Sequence, residues 1–344
     1  GFERRQIVKP ASGTTFIIRR RLVKIVSIGL FCSGYPIALS NALARANNVT
    51  LFLSRQNLEV RFPEISALEN FLQESCIVDP EVSLHLIEYP TGHYLQKVGI
   101  ARDLVRAVCA VQPDVIHYQS GGNPWVPLVI PLLRRFPLVV TIHDATPHSG
   151  DAPPLGFLWV INTFLSRMAD QIIVHGKQQA DILTEIHPHV SGKVNVVPMG
   201  GLSLAKSPPQ WKSPPDNRTV LFFGRIREYK GINVLIEAAP LIAEHIPGLR
   251  ILVAGSGECP ALHRASEENP DWFEVHNRFI SSDDVPSFFH RASLVVLPYL
   301  DATQSAVVPL AYLFGRPVVS TRVGSIPEIV EHGKTGYLVE PRDA

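Results

Sequence analysis

The chain has 344 residues, of which 46% are hydrophobic and 18% charged, and its formal net charge is +1. That length predicts two domains of ordinary size, each able to bury a core, and the near balance of charge argues against a nucleic-acid binder. Cys32, Cys76, Cys109 and Cys259 form no Cys-x-x-Cys pair and read as free thiols of a reducing compartment rather than as a disulfide framework.

The first 24 residues carry seven Arg or Lys and one Glu. They read as a solvated lead-in to the first strand, with contact to an anionic membrane surface as the alternative. The apolar run that follows is strand-like and ends in a polar glycine loop, unlike a signal peptide. The most apolar stretch, 126–133, is short and holds two prolines, whereas a membrane span needs about 20 apolar residues. A cytoplasmic protein is expected, with peripheral contact at the inner face of the membrane as a further option.

In the amino-terminal half, apolar runs predict strands over 23–30, 49–53, 115–118, 138–142, 171–174 and 194–197. Between them, helices are expected over 38–46, 98–111, 125–135 and 157–168, with a loop at 31–36. Short apolar strands alternating with helices imply a parallel sheet covered on both faces. From Pro198 to Asp216 no apolar period survives, and Pro, Ser and Lys mark a linker. The second half repeats the pattern, with strands over 220–223, 250–254, 273–276 and 294–297 and helices over 231–245 and 283–291. A further helix leads to Gly315, then come a strand at Val318-Val319, a polar loop, a short helix, a tight turn and a last strand. The expected organisation is an α/β chain of two Rossmann-like domains facing across a cleft, 22–198 and 218–344, joined by 199–217.

Several loops at strand ends hold chemistry-bearing residues. In Phe222-Phe-Gly-Arg-Ile-Arg-Glu-Tyr-Lys-Gly231, Gly224 permits a tight turn after a strand. Arg225 and Lys230 then place two cations near a helix amino terminus, an arrangement that suits a diphosphate; the bland alternative is a pair of surface cations. Ala254-Gly-Ser-Gly-Glu258 is a glycine-rich turn, equally a ligand contact or a plain connection. Ser282 reads as the N-cap of the helix after Arg278. Gly29 to Gly34 lacks the full Gly-x-Gly-x-x-Gly fingerprint, which disfavours a dehydrogenase. His143, in Thr141-Ile-His-Asp144, ends a buried strand and either reaches a ligand or bonds nearby backbone, with Asp144 placed to orient its ring. His187-Pro-His189 reads as a solvated turn. The chain has no Asp-x-Asp, no Gly-x-Ser-x-Gly elbow and no Walker loop, so no metal and no cofactor are expected.

Near the end stand Gly315-Arg-Pro-Val-Val-Ser-Thr-Arg-Val-Gly-Ser-Ile-Pro-Glu328 and Gly333-Lys-Thr-Gly336. Together with Gly224-Arg225 and Lys230-Gly231, these resemble the carboxy-terminal signature of GT-B glycosyltransferases, in particular the retaining family 4 (glycosyl transferases group 1). The resemblance covers about 22–344 and is strongest from Leu221 onward. It implies transfer of a sugar, with retention, from a nucleotide-diphosphate donor to the hydroxyl of a sugar or lipid-linked acceptor, in polysaccharide or glycolipid synthesis. Arg225 and Lys230 would then hold the diphosphate, Gly34 would let backbone approach the phosphates, and His143 would reach the donor sugar. The segment at Arg278 would contact the base.

The same comparison exposes two departures. The family's glutamate pair falls on Ala302 and Leu310, with Asp301 one residue away. Thr303, Gln304 and Ser305 offer replacement hydrogen bonds, and Ser305 is placed to cap the next helix so that the amides of Ala306 and Val307 face a phosphate. The chain also stops at Ala344, where family members continue, so a carboxy-terminally truncated domain is expected. Two rivals follow: a degenerate, non-catalytic relative that binds nucleotide or a partner, and a nucleotide-sugar epimerase working through His143 and Asp144.

Overall fold

The computed structural model describes residues 3–8, 16–30, 34–62, 65–75, 77–88, 94–121, 129–146, 155–201 and 216–344. The chain divides into two compact units, Gly1–Thr141 with Phe164–Ile172, and Ile142–Thr163 with Ile173–Ala344.

The lead-in is not plain coil. β1 (Glu3–Val8) and β2 (Phe16–Arg21) pair antiparallel, with Arg4 opposite Arg20 and Arg5 opposite Arg19. The β-branched residues Ile7, Val8, Ile17 and Ile18 favour extended backbone, a signal that the density of charge hides in the sequence.

A seven-stranded sheet follows, built from β3 (Lys24–Gly29), β4 (Asn48–Ser54), β5 (Val82–Ile87), β6 (Val115–Gln119), β7 (Leu138–Thr141), β8 (Gln171–Val174) and β9 (Val194–Val196). Its spatial order is β5-β4-β3-β6-β7-β8-β9, and the ladders joining β5 through β7 are parallel. The helices among these strands are α1 (Gly34–Ala44), α2 (Arg55–Arg61), α3 (Leu68–Glu74), α4 (Tyr94–Val111), α5 (Leu155–Met168) and α6 (Lys177–Ile186).

The six-stranded sheet comprises β10 (Thr219–Phe223), β11 (Arg250–Ala254), β12 (Phe273–His276), β13 (Leu294–Leu297), β14 (Val318–Thr321) and β15 (Gly336–Val339), in the order β12-β11-β10-β13-β14-β15 and parallel throughout. Its helices are α7 (Ile232–His245), α8 (Pro260–Glu268), α9 (Val285–Arg291) and α10 (Val307–Leu313). Successive residues of β10 serve opposite faces. Leu221 joins Leu252, Val295, Phe289 and Phe314 on one side, while Val220 and Phe222 join Ile251, Val253 and Leu235 on the other. Burial on both faces explains why this strand is a continuous apolar run without alternation.

Several expectations shift. α2, α3 and β5, and later α6 and α8, were not anticipated; the helices are short and mostly polar, whereas Val82–Ile87 does alternate apolar and polar residues over its first five positions. The helix expected over 125–135 is described only from Val129, where Ile130–Leu133 forms a 3-10 turn around Pro131. The helix expected over 231–245 begins at Ile232, behind a left-handed Gly231. The hydroxyl of Ser281, not Ser282, accepts the amide of Asp284 at 3.2 Å ahead of α9. Of the expected linker, 202–215 lie outside the described residues, as do 31–33 of the first loop, Cys32 and Cys76. Cys109 and Cys259 are free thiols.

Candidate functional site

The strand order of each sheet reverses beside its first strand. In the six-stranded sheet the chain runs outward from β10 to β11 and β12, then returns to lay β13 on the other side of β10. Loops leaving β10 and β13 therefore lie at the carboxyl edge of the sheet beside its reversal point, where open α/β sheets bind ligands. The loop after β10 carries Gly224, Arg225 and Lys230, and the loop after β13 carries Pro298 to Ala306.

The first loop is firmly held. Gly224 donates its amide to Ala254 O at 2.9 Å, and Ile226 to Ser256 O at 2.8 Å. Ile226 and Tyr229 are buried anchors. Asn277 takes both the amide and the carbonyl of Gly257, which holds the glycine-rich turn after β11 in place. Glu228–Lys230 forms a 3-10 turn that ends on Gly231 at φ 67°, where a Cβ would lie 1.7 Å from Pro298 O. Only glycine permits that approach, which brings the two loops together. Leu300 then donates to Tyr229 O at 2.8 Å.

The two cations differ. Arg225 is exposed and makes no hydrogen bond or ion pair among the described residues. Lys230 is half-buried, with Nζ 3.7 Å from the centroid of the Tyr299 ring and 5.0 Å from that of Tyr229. Tyr299 is buried; its hydroxyl lies 3.3 Å from Ser305 Oγ, and its carbonyl accepts from Thr321 Oγ1 at 2.6 Å.

Ser305 Oγ accepts the amide of Val307 at 3.3 Å, but Ser305 stands one residue ahead of the N-cap of α10 rather than at it as expected. The amide of Val307 is thus engaged within the chain. Ala306 stands at the N-cap without a side-chain bond. Ala302 is buried in the core, and Leu310 packs against the same cluster, so the positions of the expected acidic pair point to apolar packing. Gly324, at φ 55°, lies so close beneath this loop that a Cβ would stand 1.9 Å from Ala302 O.

Thr303 and Gln304 meet the residues that follow β7, all within the second unit. The buried Thr303 hydroxyl donates to Asp144 Oδ1 at 2.6 Å, and Gln304 Nε2 lies 3.5 Å from His143 O. Asn162 Nδ2 donates to Asp144 O at 3.0 Å, and Gln179 Oε1 accepts the amide of Ala145 at 3.1 Å. His143 is half-buried, its ring centroid 5.1 Å from that of His175. His175 is buried, its Nδ1 donates to Val197 O at 2.9 Å, and burial pushes its imidazole below the usual histidine range. Gly34 opens α1 at the reversal point of the seven-stranded sheet.

Three participants escaped the sequence reading. His175 ends a strand as His143 does, a parallel that was available in Ile172-Ile-Val-His175. Tyr299 directly follows the proline after β13. Glu328 accepts the amides of Lys177 at 2.6 Å and Gln178 at 3.0 Å, placing a carboxylate on the amino terminus of α6. His187, expected to be solvated, is buried beside Trp159, because α6 delivers it inward after Ile186. At the Arg278 segment, the guanidinium bonds Phe279 O and Asp284, while the Phe279 ring is exposed. An open cavity of 510 Å³ lined by Asp216, Arg218, Arg250 and Asp271 lies at the amino ends of β10 and β11, away from these loops.

Sequence-family models described as "Glycosyl transferase 4-like domain" and "Glycosyl transferases group 1" match residues 38–200 and 217–344. The chain is 26% identical over 326 residues to a D-inositol 3-phosphate glycosyltransferase of Mycobacterium marinum, covering 85% of this chain and 68% of that one. Among solved structures, Anabaena HepE in complex with UDP and glucose superposes with a TM-score of 0.61 at 18% identity, over 93% of this chain and 86% of that one. Sucrose-phosphate synthase from Thermosynechococcus elongatus gives 0.64 at 19% identity, over 94% and 87%.

Proposed function

The chain belongs to the group 1 glycosyltransferases of GT-B fold, and on that premise we propose that it transfers a hexose, with retention, from a nucleotide-diphosphate sugar to a hydroxyl acceptor in polysaccharide or glycolipid synthesis. The observation that carries this reading is that the loop after β10 holds Arg225 and Lys230, neither neutralised by a described carboxylate. When the sugar–phosphate bond breaks, negative charge grows on the departing diphosphate. Fixed cations that face it lower the barrier electrostatically without acid or base chemistry.

In this reading Arg225 and Lys230 hold the diphosphate, the backbone at Gly34 and Gly224 approaches the phosphates, and His143 faces the sugar. Thr303 anchors the residues after β7 through Asp144, Gln304 and Ser305 line the donor side, and Ala306 leads into α10. The role of Asp144 changes accordingly: its carboxylate, bound by Thr303, fixes the loop that carries His143. No metal or other cofactor takes part. The acceptor is a sugar or lipid-linked hydroxyl, and the basic β1–β2 ribbon is the proposed contact with an anionic membrane that presents it. Binding of the chain to phosphatidylglycerol vesicles, lost when the ribbon arginines are neutralised, tests that contact.

Thermal unfolding with UDP-, GDP- and ADP-sugars tests the main reading, since a ligand of the folded state raises the midpoint. Donor hydrolysis and transfer to acceptors, D-inositol 3-phosphate among them, are measured in parallel. One protecting donor that also turns over supports the proposal, and no protection by any donor refutes it. The packing of Ala302 and Leu310 into the core favours a second reading, a relative that binds donor without catalysis. Protection without turnover selects it.

A further inference from the structure

We propose that Tyr299 is a positioning residue for Lys230, holding its ammonium over the ring face so that the charge stays unneutralised and available to an anionic ligand. The proposal rests on the reading above, in which that ligand is a diphosphate.

Four observations converge. First, the ammonium sits 3.7 Å from the ring centroid, well inside cation–π range. Second, Lys230 forms no hydrogen bond or ion pair through its side chain among the described residues, so its three N–H donors are not committed to a carboxylate. A salt bridge would hold the lysine equally well, but a phosphate would then have to displace the carboxylate. An aromatic face attracts the cation and offers no competing oxygen acceptor.

Third, Tyr299 cannot drift. Only 1% of it is exposed, its hydroxyl meets Ser305 Oγ, and its carbonyl is bound by Thr321. Fourth, the two residues belong to loops that are locked to each other. Gly231, directly after Lys230, approaches Pro298, directly before Tyr299, more closely than any side chain would allow, and Leu300 bonds back to Tyr229 O. Lysine and ring are thus fixed across the reversal point of the sheet, with Tyr229 as a second, more distant aromatic neighbour at 5.0 Å.

The test replaces Tyr299 in the full chain with phenylalanine and then with mono-, di- and trifluorinated phenylalanines. These preserve ring shape while draining the negative face. Binding of UDP and of inorganic pyrophosphate is titrated for each protein, and the series is repeated in Lys230→Ala. The expected result is a stepwise loss of affinity, about fivefold across the series, that disappears when the lysine is absent. A ring that served packing alone would give a flat series in both backgrounds, which overturns the proposal. If Lys230→Ala weakens both ligands while the series stays flat, the diphosphate reading stands and the positioning role falls. If Lys230→Ala changes neither ligand, both fall. As an independent check, the ring current should shift the Lys230 ε-methylene protons upfield in the unsubstituted chain and release them in Tyr299→Leu. The absence of any upfield lysine signal also overturns the proposal.

Discussion

Gly231→Ala is the most exacting test of how the two loops are joined. Two costs add. Alanine at φ 67° and ψ 26° sits in the left-handed region, at about 1–2 kcal/mol. Its Cβ would also lie 1.7 Å from Pro298 O and 2.8 Å from Pro298 C, both backbone atoms that cannot rotate away. Restoring contact beyond 3.0 Å requires the loops to part by more than an ångström, which breaks the bond from Leu300 to Tyr229 O and lifts Lys230 from its ring. With that hydrogen bond at about 1 kcal/mol, the expected destabilisation is roughly 3 kcal/mol, read as a lower midpoint in chemical or thermal unfolding. Gly99→Ala provides the contrast. Gly99 lies inside α4, and a Cβ there meets nothing within 4 Å, so alanine should stabilise by about 0.5–1 kcal/mol. If both variants shift the midpoint by the same small amount, the close approach of the loops does not govern stability and the reasoning fails.

Other expectations follow from single contacts. Lys230→Ala should weaken UDP binding about 10- to 100-fold by calorimetry, the loss of one or two charge-assisted bonds, while folding stability changes by less than about 1 kcal/mol. Glu328→Gln removes the charge that faces the amides of Lys177 and Gln178, and should cost about 1 kcal/mol in denaturant titration, a difference that added salt shrinks. For pH, His175 binds its proton less readily folded than unfolded because it is buried. Its contribution is therefore complete above the ordinary value of 6.5 and declines as pH falls below it. His175→Gln should flatten the midpoint-versus-pH curve between about pH 7 and 5. Glu274, held at about 2 by hydrogen bonds from Arg291, acts lower: its contribution is present above 4.5 and is lost as pH falls toward 2. The pair is more than a third exposed, so solvent screening limits that contribution to about 1 kcal/mol. Glu274→Gln should remove it.

The parallel sheets were legible because buried strands such as Thr219–Phe223 are unbroken apolar runs, and because glycine marks their ends. Gly315 at φ 63° closes its helix as its sequence context predicts. Short elements such as Lys177–Ile186 were not legible, since polar residues outnumber apolar ones in them and no long apolar run marks them. Arg225 and Lys230 stood out as charges beside glycines. Tyr299 did not, because an aromatic after an apolar strand reads as core, which it also is. The bond between Thr303 and Asp144 joins residues far apart in sequence, and no local spacing encodes it. Counting back from Gly315 leads to Ala302 and Leu310, but only packing shows that Ala302 belongs to the core and that Leu310 packs against it.

The reversed strand order also sets a sequence of assembly. Val220 pairs with Ile251 across one short crossover, whereas its other partner, Leu294, arrives only after β11, α8, β12 and α9 have been laid down. The same asymmetry separates the pairing of Ile25 with Val49 from that with Val115. Closing the longer loop carries the larger entropic cost, so the seam between β10 and β13 should be among the last to zip during refolding and an early one to reopen. The ammonium of Lys230 and the ring of Tyr299 lie on opposite sides of that seam. A bound diphosphate would act there as a clasp, slowing the first step of unfolding rather than hastening the last step of folding.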